Sequence, residues 1–252
     1  MRNLRMTVAY VGTRFAGWQV QPGLPTIQGV LESRLGALLQ ERVRIAGAGR
    51  TDAGVHALGQ VANLMTASRI PPEGLRRGVN ARLPEEIRIL DVAEAPESFH
   101  ARSDARLKEY RYRIARGEVV SPFVAPFALP LRGPLDVEAM RSAARTFLGR
   151  HDFTSFCPAA CRVEGKERTI VRSEVVEEDG VVEYRVRADG FLQHMVRTMV
   201  GTLLWVGRGL RRPEAIGTIL ETRDRAAAGP CAAARGLVLQ RVFYEDGSCG
   251  FW

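Results

Sequence analysis

The stretch GAGRTDAGVHALGQ, residues 47–60, decides the fold of the first half of this chain. Its four glycines surround one carboxylate, Asp52, and apolar runs stand on either side at 43–45 and 61–64. Such a succession is typical of a strand, a glycine-rich loop and a second strand. Because glycine lets a backbone bend tightly and lets a ligand come close to it, the pattern predicts a tight loop that carries Asp52.

Asp52 has two interpretations. Arg50 lies two residues away, and an arginine partner would keep a carboxylate in such a loop ionised. An ionised and positioned carboxylate is a candidate nucleophile or base. The alternative is a turn aspartate that caps its own loop, with Arg50 in a surface ion pair. The residue types alone favour the alternative, because aspartate is common in glycine-rich turns.

The segments before and after this loop predict further strands and helices of the same structural unit. Alternating apolar residues predict a strand over 4–10, and apolar residues at helical spacing predict a helix after Thr26, its candidate N-cap. A second helix is predicted from Pro71 to about Asn80, followed by a strand over 87–92. The order strand, helix, strand, strand, helix, strand matches a ferredoxin-like α+β unit.

Aromatic residues beside these elements have two possible roles. Phe15 and Trp18 lie in the loop before the first helix and serve either the core or a nucleotide. Tyr110 and Tyr112 share one face of a further predicted strand. A ring on a strand can stack on an unpaired base, although a tyrosine that faces a core is commoner. Periodicity does not decide which of the two tyrosines faces a site.

The second half repeats the element types of the first. An apolar helix over 190–207 places Gly190, His194, Arg197 and Gly201 on one face, and the two glycines would allow another element to come close. Arg197 then needs a buried acidic partner or a route to water; the alternative is a salt bridge at the rim with a glutamate. The other predicted elements are a helix capped by Asp136 and ended by Gly149, a hairpin across Asp179-Gly180, a helix after Pro213 and a strand over 236–242.

The charge of the chain indicates a polyanionic partner. The 252 residues carry a net charge of +8, which favours nucleic acid or a membrane surface as the partner. Of the 36 basic residues only Lys108 and Lys166 are lysines. The arginine fork binds phosphates and bases in a bidentate manner, although genomic codon bias would give the same composition.

The cysteines and the apolar segments bear on whether the protein is secreted, metal-binding or embedded in a membrane. Cys157, Cys161, Cys231 and Cys249 form no Cys-x2-Cys pair, so reduced cytosolic thiols are expected rather than a disulfide framework or a metal site. The N-terminus lacks the apolar core of a signal peptide. The longest apolar run, 191–206, is too short and too polar to span a bilayer, so no membrane association is expected.

Six short stretches carry a family resemblance. They are YVGTRFAGWQ at 10–19, GRTDAGVH at 49–56, FHAR at 99–102, KEYRY at 108–112, DFTSF at 152–156 and HMVR at 194–197. In this order they resemble the motifs of the TruA family of tRNA pseudouridine synthases over essentially the whole chain. Val11 departs from the pattern, because the family often has an acid there.

The resemblance implies an architecture and an activity. The fold would be α+β, with two ferredoxin-like halves forming one mostly antiparallel curved sheet flanked by helices and a basic cleft between the halves. The halves would be 1–104, which carries the catalytic loop, and 105–252. The activity would be isomerisation of uridine to pseudouridine at tRNA positions 38, 39 and 40 of the anticodon stem-loop. The family further implies a cytoplasmic homodimer whose partner is tRNA.

The resemblance also assigns roles in the site. Asp52 would be the catalytic residue, and Arg197 would orient it and keep it ionised. Arg50 would fill the place of the flipped base and hold the phosphate. Tyr110 would stack on the uracil or relay the C5 proton, and Leu237 would pack on the base.

A separate loop is expected to meet the RNA backbone. Phe99, His100 and Arg102 form a polar, cationic loop in a basic protein. The resemblance favours contact with RNA for this loop; the alternative is a strand cap with Phe99 in the core.

The reaction explains why a carboxylate is needed. The uracil leaves its N1 glycosidic bond, rotates and reattaches through C5, so nothing is oxidised and no cofactor or metal is expected. A carboxylate is both a nucleophile and a leaving group, and Asp52 could attack C1′ or C6, or a glycal route could operate. Two other functions stay open: a non-catalytic RNA-binding protein of the same fold, which would not need Asp52, and a metal-dependent phosphoesterase using Asp52 and His56.

Overall fold

The computed structural model describes residues 1–245 and shows a mixed α+β fold. In this range there are ten strands and five α-helices, and the strand pairs are mostly antiparallel. The predicted α+β class and the mostly antiparallel pairing are therefore confirmed. No helix in 1–245 is both long enough and apolar enough to cross a membrane.

The elements have the following bounds. The strands are β1 Arg2–Tyr10, β2 Ile45–Gly47, β3 His56–Thr66, β4 Ile87–Ala95, β5 Leu107–Arg116, β6 Leu129–Leu131, β7 Gly149–Asp152, β8 Glu167–Glu178, β9 Val181–Ala188 and β10 Leu237–Phe243. The helices are α1 Ile27–Leu39, α2 Pro72–Asn80, α3 Val137–Arg145, α4 Met195–Gly207 and α5 Ala215–Thr222.

The chain forms two compact units. Among the described residues, the first comprises Met1–Lys108 together with 238–245, and the second comprises Glu109–Leu237. This grouping differs from a division into 1–104 and 105–252, because β10 runs parallel to β3 of the first unit, with Val238 opposite His56.

The first unit contains strands of a ten-stranded sheet in the order β4-β1-β3-β10, and β2 also pairs with β3. Leu4, Met6 and Leu64 of its strands are fully or almost fully buried, as are Leu31 and Leu35 of α1. Thr26 caps α1 as predicted, since its side-chain oxygen accepts a hydrogen bond of 3.3 Å from the Gly29 N–H. The sheet and α1 therefore share one apolar core.

Two aromatic residues of the first unit belong to that core. Trp18 is 2% exposed, and Phe15 is buried as well. A Cβ added to Gly47 would collide with the Trp18 indole, so β2 can pass beside this ring only with glycine at that position. Core packing is therefore the role of both residues here, and a nucleotide contact is not needed to explain them.

The second unit contains strands of the ten-stranded sheet in the order β5-β9-β8-β7, and β6 pairs in parallel with β5. The predicted hairpin is confirmed: β8 and β9 pair antiparallel across Asp179 and Gly180, which both have positive φ angles, 50° and 75°. Helix α3 begins after Asp136, whose carboxylate accepts from the Ala139 N–H at 2.9 Å as predicted.

Two predicted helix boundaries are wrong. Helix α4 starts at Met195 and not at Gly190, because His194 has a left-handed backbone with φ of 59°. Gly190 and His194 therefore do not share a helical face with Arg197. Helix α3 ends at Arg145, well before Gly149, because the chain turns there to bury Phe147 against two further rings, Phe153 and Phe156.

Candidate active site

The loop that carries Asp52 joins β2 to β3 as a closed, hydrogen-bonded turn. At its base the Ala48 N–H donates to the Val61 carbonyl at 2.7 Å. At its tip the Val55 N–H donates to the Asp52 carbonyl at 3.1 Å, and Gly54 takes a φ of 78° that favours glycine. The predicted tight loop between two strands is confirmed, and Asp52 lies half-buried within it.

A second segment, residues 12–18, holds this loop from outside. The Trp18 N–H donates to the Thr51 carbonyl at 3.0 Å, and the Gly54 N–H donates to the Phe15 carbonyl at 3.3 Å. A Cβ on Gly17 would come within 2.7 Å of the Thr51 carbonyl oxygen, so backbone lies directly against backbone. These contacts explain why the glycine-rich stretch at 10–19 accompanies the stretch at 49–56.

His56, at the start of β3, is fixed by the same segment. The Gly12 N–H donates to its Nδ1 at 3.2 Å, which assigns the ring proton to Nε2 when the imidazole is neutral. The imidazole is buried. Residues 1–245 contain no group of three or more His, Cys, Asp or Glu side chains placed to hold a metal ion.

Three buried polar side chains connect β1, the loop and β3. The hydroxyls of Tyr10 and Thr51 share a hydrogen bond of 2.8 Å. The amide of Gln60 donates to the Gly49 carbonyl at 2.8 Å and to the Tyr10 hydroxyl at 3.5 Å. Burial raises the pKa of Tyr10 well above its usual range, against the lowering effect of its hydrogen bonds with Thr51 and Gln60. Tyr10 therefore stays protonated.

Arg50 and Lys108 lie on the outer side of the loop. The exposed Arg50 guanidinium donates through Nε to the Oε1 of Gln19 at 3.1 Å. This bond ties the Arg50 side chain to the loop before α1. A Cβ on Gly49 would lie 3.7 Å from the Lys108 Cε, so this lysine runs beside the loop. Lys108 was given no role from the sequence, although it begins a motif stretch.

Tyr110 and Tyr112 lie on the same face of β5 in different surroundings. The Tyr110 ring meets Phe191 edge-on, with centroids 5.0 Å apart. The Tyr112 hydroxyl donates to the Ala233 carbonyl at 2.8 Å, and the ring lies so close to Gly236 that a Cβ there would collide with it. Burial raises the pKa of Tyr112 above its usual range. The hydroxyl of Tyr112 is thus used to hold the chain before β10.

Arg197 and Leu237 are linked through the chain that leads into β10. Arg197 is hydrogen-bonded to Ala232, five residues before Leu237. Arg197, half-buried in the first turn of α4, donates through Nε to the Ala232 carbonyl at 2.7 Å, and the Ala232 N–H donates back to the Arg197 carbonyl at 3.1 Å. Gly201 allows this approach, since a Cβ there would overlap the Pro230 carbonyl. The close contact expected at Gly201 is therefore confirmed. Leu237 follows as the buried first residue of β10.

The opposite face of β5 carries a buried carboxylate. Glu109 is 3% exposed and accepts from the Arg187 Nε at 2.9 Å, with Arg111 and Arg172 also within ion-pair distance. Burial opposes the ionisation of Glu109, but hydrogen bonding with Arg187 and the charges of the three arginines together lower its pKa. The sequence placed Glu109 on this face without predicting the cluster.

The loop at 99–102 combines an anchored ring with exposed polar groups. Phe99 is half-buried with its ring 5.3 Å from that of Tyr244, and its carbonyl accepts from Asn3 at 2.7 Å. His100 and Arg102 are exposed, and the His100 Nδ1 accepts from the Arg102 N–H at 3.2 Å. Phe99 thus packs against Tyr244 without being fully buried, while the side chains of His100 and Arg102 face solvent.

The cysteines add no covalent link in the described chain. Cys157 and Cys161 are buried free thiols, and Cys231 is a partly exposed one. Burial and the neighbouring Cys161 raise the pKa of Cys157, so this thiol stays protonated at neutral pH. Cys249 lies outside the described residues.

Known proteins resemble this chain along nearly its whole length. A family model described as tRNA pseudouridine synthase matches residues 6–104 and 143–245. The chain is 45% identical to tRNA pseudouridine synthase A of Myxococcus xanthus over 249 residues, 98% of this chain and 94% of that protein. It is 46% identical to the protein of that name from Brevibacillus brevis, covering 97% and 100%, and 47% identical to that from Moorella thermoacetica, covering 96% and 99%. Tyr110 lies between the two ranges of the family match.

Proposed function

This chain belongs to the tRNA pseudouridine synthase family, and we propose that it isomerises uridine to pseudouridine in tRNA. The class of enzyme is an isomerase that transfers a group within one molecule. The substrate is a uridine of the anticodon stem-loop, at position 38, 39 or 40. No part of the reaction needs an added redox group, because substrate and product have the same composition.

One observation carries this proposal: the half-buried Asp52 is the carboxylate of a loop held on every side by main-chain hydrogen bonds. Thr51 before it is bonded to Trp18, its own carbonyl is bonded to Val55, and Gly54 is bonded to Phe15. A turn aspartate that merely capped its own loop would not need a second segment packed around it. A fixed carboxylate is what a nucleophile requires, because catalysis depends on holding reacting atoms in an attack geometry.

The steps balance without any external reagent. The N1–C1′ bond breaks and the C5–C1′ bond forms, while the proton of C5 leaves and a proton is returned to the uracil ring. The Asp52 carboxylate forms a transient bond to C1′ or to C6, and its departure regenerates the enzyme. The base must first be flipped out of its stack to reach the carboxylate.

The remaining site residues take supporting roles in this proposal. Tyr110 binds the uracil and relays the C5 proton, and Leu237 packs on the base. Arg197 orients the carboxylate, and Arg50 takes the place of the flipped base and binds the phosphate. The exposed position of Arg50, whose Nε donates to Gln19, suits a side chain that reaches a ligand.

The proposed partners follow from charge and family. A net charge of +8, carried mainly by arginine, suits the backbone of tRNA, and the exposed His100 and Arg102 are proposed contacts. The enzyme is proposed to act in the cytoplasm as a homodimer, with tRNA bound in a basic cleft.

The test is incubation of the purified protein with transcribed tRNA, followed by mapping of pseudouridine. The proposal expects modification at 38, 39 or 40 in the wild type and none in Asp52→Asn. A wild type that binds tRNA tightly but forms no pseudouridine would favour the alternative of a non-catalytic RNA-binding protein. Loss of activity in chelator would favour the metal-dependent alternative.

A further inference from the structure

A chain of hydrogen bonds joins the residue before Asp52 to the interior of the first unit. Thr51 is bonded through its hydroxyl to the Tyr10 hydroxyl at 2.8 Å, and Tyr10 accepts from the Gln60 amide at 3.5 Å. Gln60 also donates to the Gly49 carbonyl at 2.8 Å. The two ends of the stretch 49–51 are therefore held by one buried side-chain system.

All three side chains are almost entirely removed from water. Tyr10 is 3%, Thr51 6% and Gln60 0% exposed. Burying polar groups is unfavourable unless they are hydrogen-bonded to each other. The sheet does not require these groups, because the main-chain ladder between β1 and β3 already joins the two strands. Apolar side chains at these positions would build the same sheet more simply.

The system acts on one short piece of backbone. The Thr51 carbonyl accepts from Trp18 and the Asp52 carbonyl accepts from Val55, so main-chain bonds hold both peptide units around Asp52. The Thr51 side chain adds a further restraint, because its hydroxyl is hydrogen-bonded to Tyr10 at the end of strand β1.

We propose that Tyr10, Thr51 and Gln60 are positioning residues that fix the direction of the Asp52 carboxylate for attack on the substrate. This inference rests on the proposed function, in which Asp52 is the nucleophile. None of the three touches the reacting atoms. They act through the backbone on either side of Asp52, and their loss misplaces the carboxylate without removing it.

The hydrogen bonds of Tyr10 fit a permanent role. Burial raises the pKa of Tyr10 well above its usual range, so its hydroxyl keeps its proton across the working pH range, and either hydroxyl can donate in the bond with Thr51. The Gln60 amide donates to the Tyr10 oxygen at 3.5 Å. A misplacement of about 1 Å at a reacting group can cost on the order of 100-fold in rate.

The test removes single hydroxyls and separates rate from binding. Tyr10→Phe keeps the ring, and Thr51→Val keeps the shape of the side chain. Each should lower the single-turnover rate of pseudouridine formation by roughly ten- to a hundredfold, with the tRNA dissociation constant within about twofold of wild type. Thr51→Ser, which restores the hydroxyl, should recover most of the rate. The double variant Tyr10→Phe, Thr51→Val should lose no more than the worse single variant, because both break one bond.

A matched control comes from the second unit. Tyr184 is fully buried and its hydroxyl shares a hydrogen bond of 2.9 Å with Ser173. Tyr184→Phe therefore removes the same group from a comparable setting on a strand of the second unit. It should lower the melting temperature about as much as Tyr10→Phe does and leave the single-turnover rate unchanged.

The outcomes separate this inference from the proposed function. If the wild type forms no pseudouridine, the proposed function itself fails. If the wild type is active and Asp52→Asn is inactive, but Tyr10→Phe and Thr51→Val keep the wild-type rate, the positioning role is refuted and the function stands. A rate loss in Tyr184→Phe equal to that in Tyr10→Phe would also overturn it, because the effect would then be one of general stability. If Thr51→Val does not fold, the single-turnover rates of Tyr10→Phe and Thr51→Ser still test the positioning role.

Discussion

The hydroxyl of Tyr112 donates a 2.8 Å hydrogen bond to the carbonyl oxygen of Ala233. This bond separates two tyrosines that share a strand face and that the sequence could not distinguish. Tyr112 is fully buried and holds the segment before β10, whereas the ring of Tyr110 packs edge-on against Phe191. The Tyr112 hydroxyl thus has a structural use, and Tyr110 remains the proposed site residue.

The first prediction separates stacking from proton transfer at Tyr110. If the hydroxyl relays the C5 proton, Tyr110→Phe should lower the single-turnover rate on the order of 10²–10⁴-fold with little change in tRNA binding. If the ring only stacks, Tyr110→Phe should keep most activity, and Tyr110→Ala should lose about ten- to a hundredfold, since stacking is worth roughly 1–3 kcal/mol. We expect the first result. Full activity of Tyr110→Phe would contradict it.

The second prediction uses Tyr112 as the matched control. Tyr112→Phe leaves the Ala233 carbonyl without its buried donor, which should lower the free energy of unfolding by roughly 1–3 kcal/mol. The rate of the folded variant should stay close to wild type when tRNA is saturating. Denaturant titration and single-turnover assays at a temperature far below the melting point measure the two effects. A rate loss larger than that of Tyr110→Phe would reverse the assignment.

The third prediction concerns Asp52. Asp52→Asn keeps the shape of the side chain but has neither the nucleophilicity nor the leaving ability of a carboxylate, so turnover should fall by roughly 10⁴-fold or more. The melting temperature and the tRNA dissociation constant should remain near wild type. Asp179→Asn is the control, because Asp179 also lies in a turn, with φ of 50°, and asparagine tolerates that backbone. Near-normal pseudouridine formation by Asp52→Asn would rule out the nucleophile role.

The fourth prediction concerns salt. If about five phosphates are neutralised, the affinity for tRNA should fall on the order of 500-fold between 50 and 200 mM monovalent salt, linearly on a double-logarithmic plot. Arg102→Gln should reduce the slope of that plot by about one. Arg76→Gln should leave it unchanged, because Arg76 already pairs with Glu73. A flat plot for the wild type would show that the positive charge serves another purpose.

The fifth prediction concerns the carboxylate of Glu109. Glu109→Gln breaks charge-assisted hydrogen bonds to Arg187, so the free energy of unfolding at pH 7 should fall by roughly 1.5–3 kcal/mol. The lowered pKa of Glu109 in the folded state makes its contribution complete above the unfolded value of about 4.3. That contribution is lost as pH falls through the folded-state pKa. The wild type and the variant should therefore converge in acid.

The control for that prediction is an exposed carboxylate with two arginine partners. Glu73 pairs with Arg76 and Arg77 on α2, which lowers its pKa to about 2. Because water screens this cluster, Glu73→Gln should leave stability nearly unchanged at neutral pH. Denaturant titrations of both variants from pH 2 to pH 7 make the comparison. A difference for Glu109→Gln that is the same at every pH would contradict an ionised role.

The sequence alone determined the features that depend on neighbours along the chain. Glycine positions and the apolar runs beside them predicted the Asp52 loop, and the caps at Thr26 and Asp136 were correct. The hairpin at Asp179-Gly180 was equally local, since a two-residue turn is set by its own backbone preferences. The order of the predicted elements agreed with the α+β class that the family resemblance implied. Each of these local features is determined by the backbone and hydrogen-bonding preferences of a few adjacent residues.

The sequence failed where a local preference competes with distant packing. The apolar pattern over 190–207 is helical throughout, yet helix α4 begins only at Met195, because His194 takes a left-handed backbone. The burial of Phe147 among aromatic partners ends α3 early in the same way. Tertiary contacts outweigh propensities that differ by less than about 1 kcal/mol per residue.

Only the tertiary structure decided which distant residues meet. The bond between Tyr10 and Thr51 joins positions 41 residues apart, and it exists because the register of β1 against β3 brings Tyr10 beside the loop. The register of β10 along β3 and the burial of Glu109 among arginines of two other strands are decided in the same way. Strand register is fixed by the packing of a whole sheet face, so no single stretch of sequence contains it.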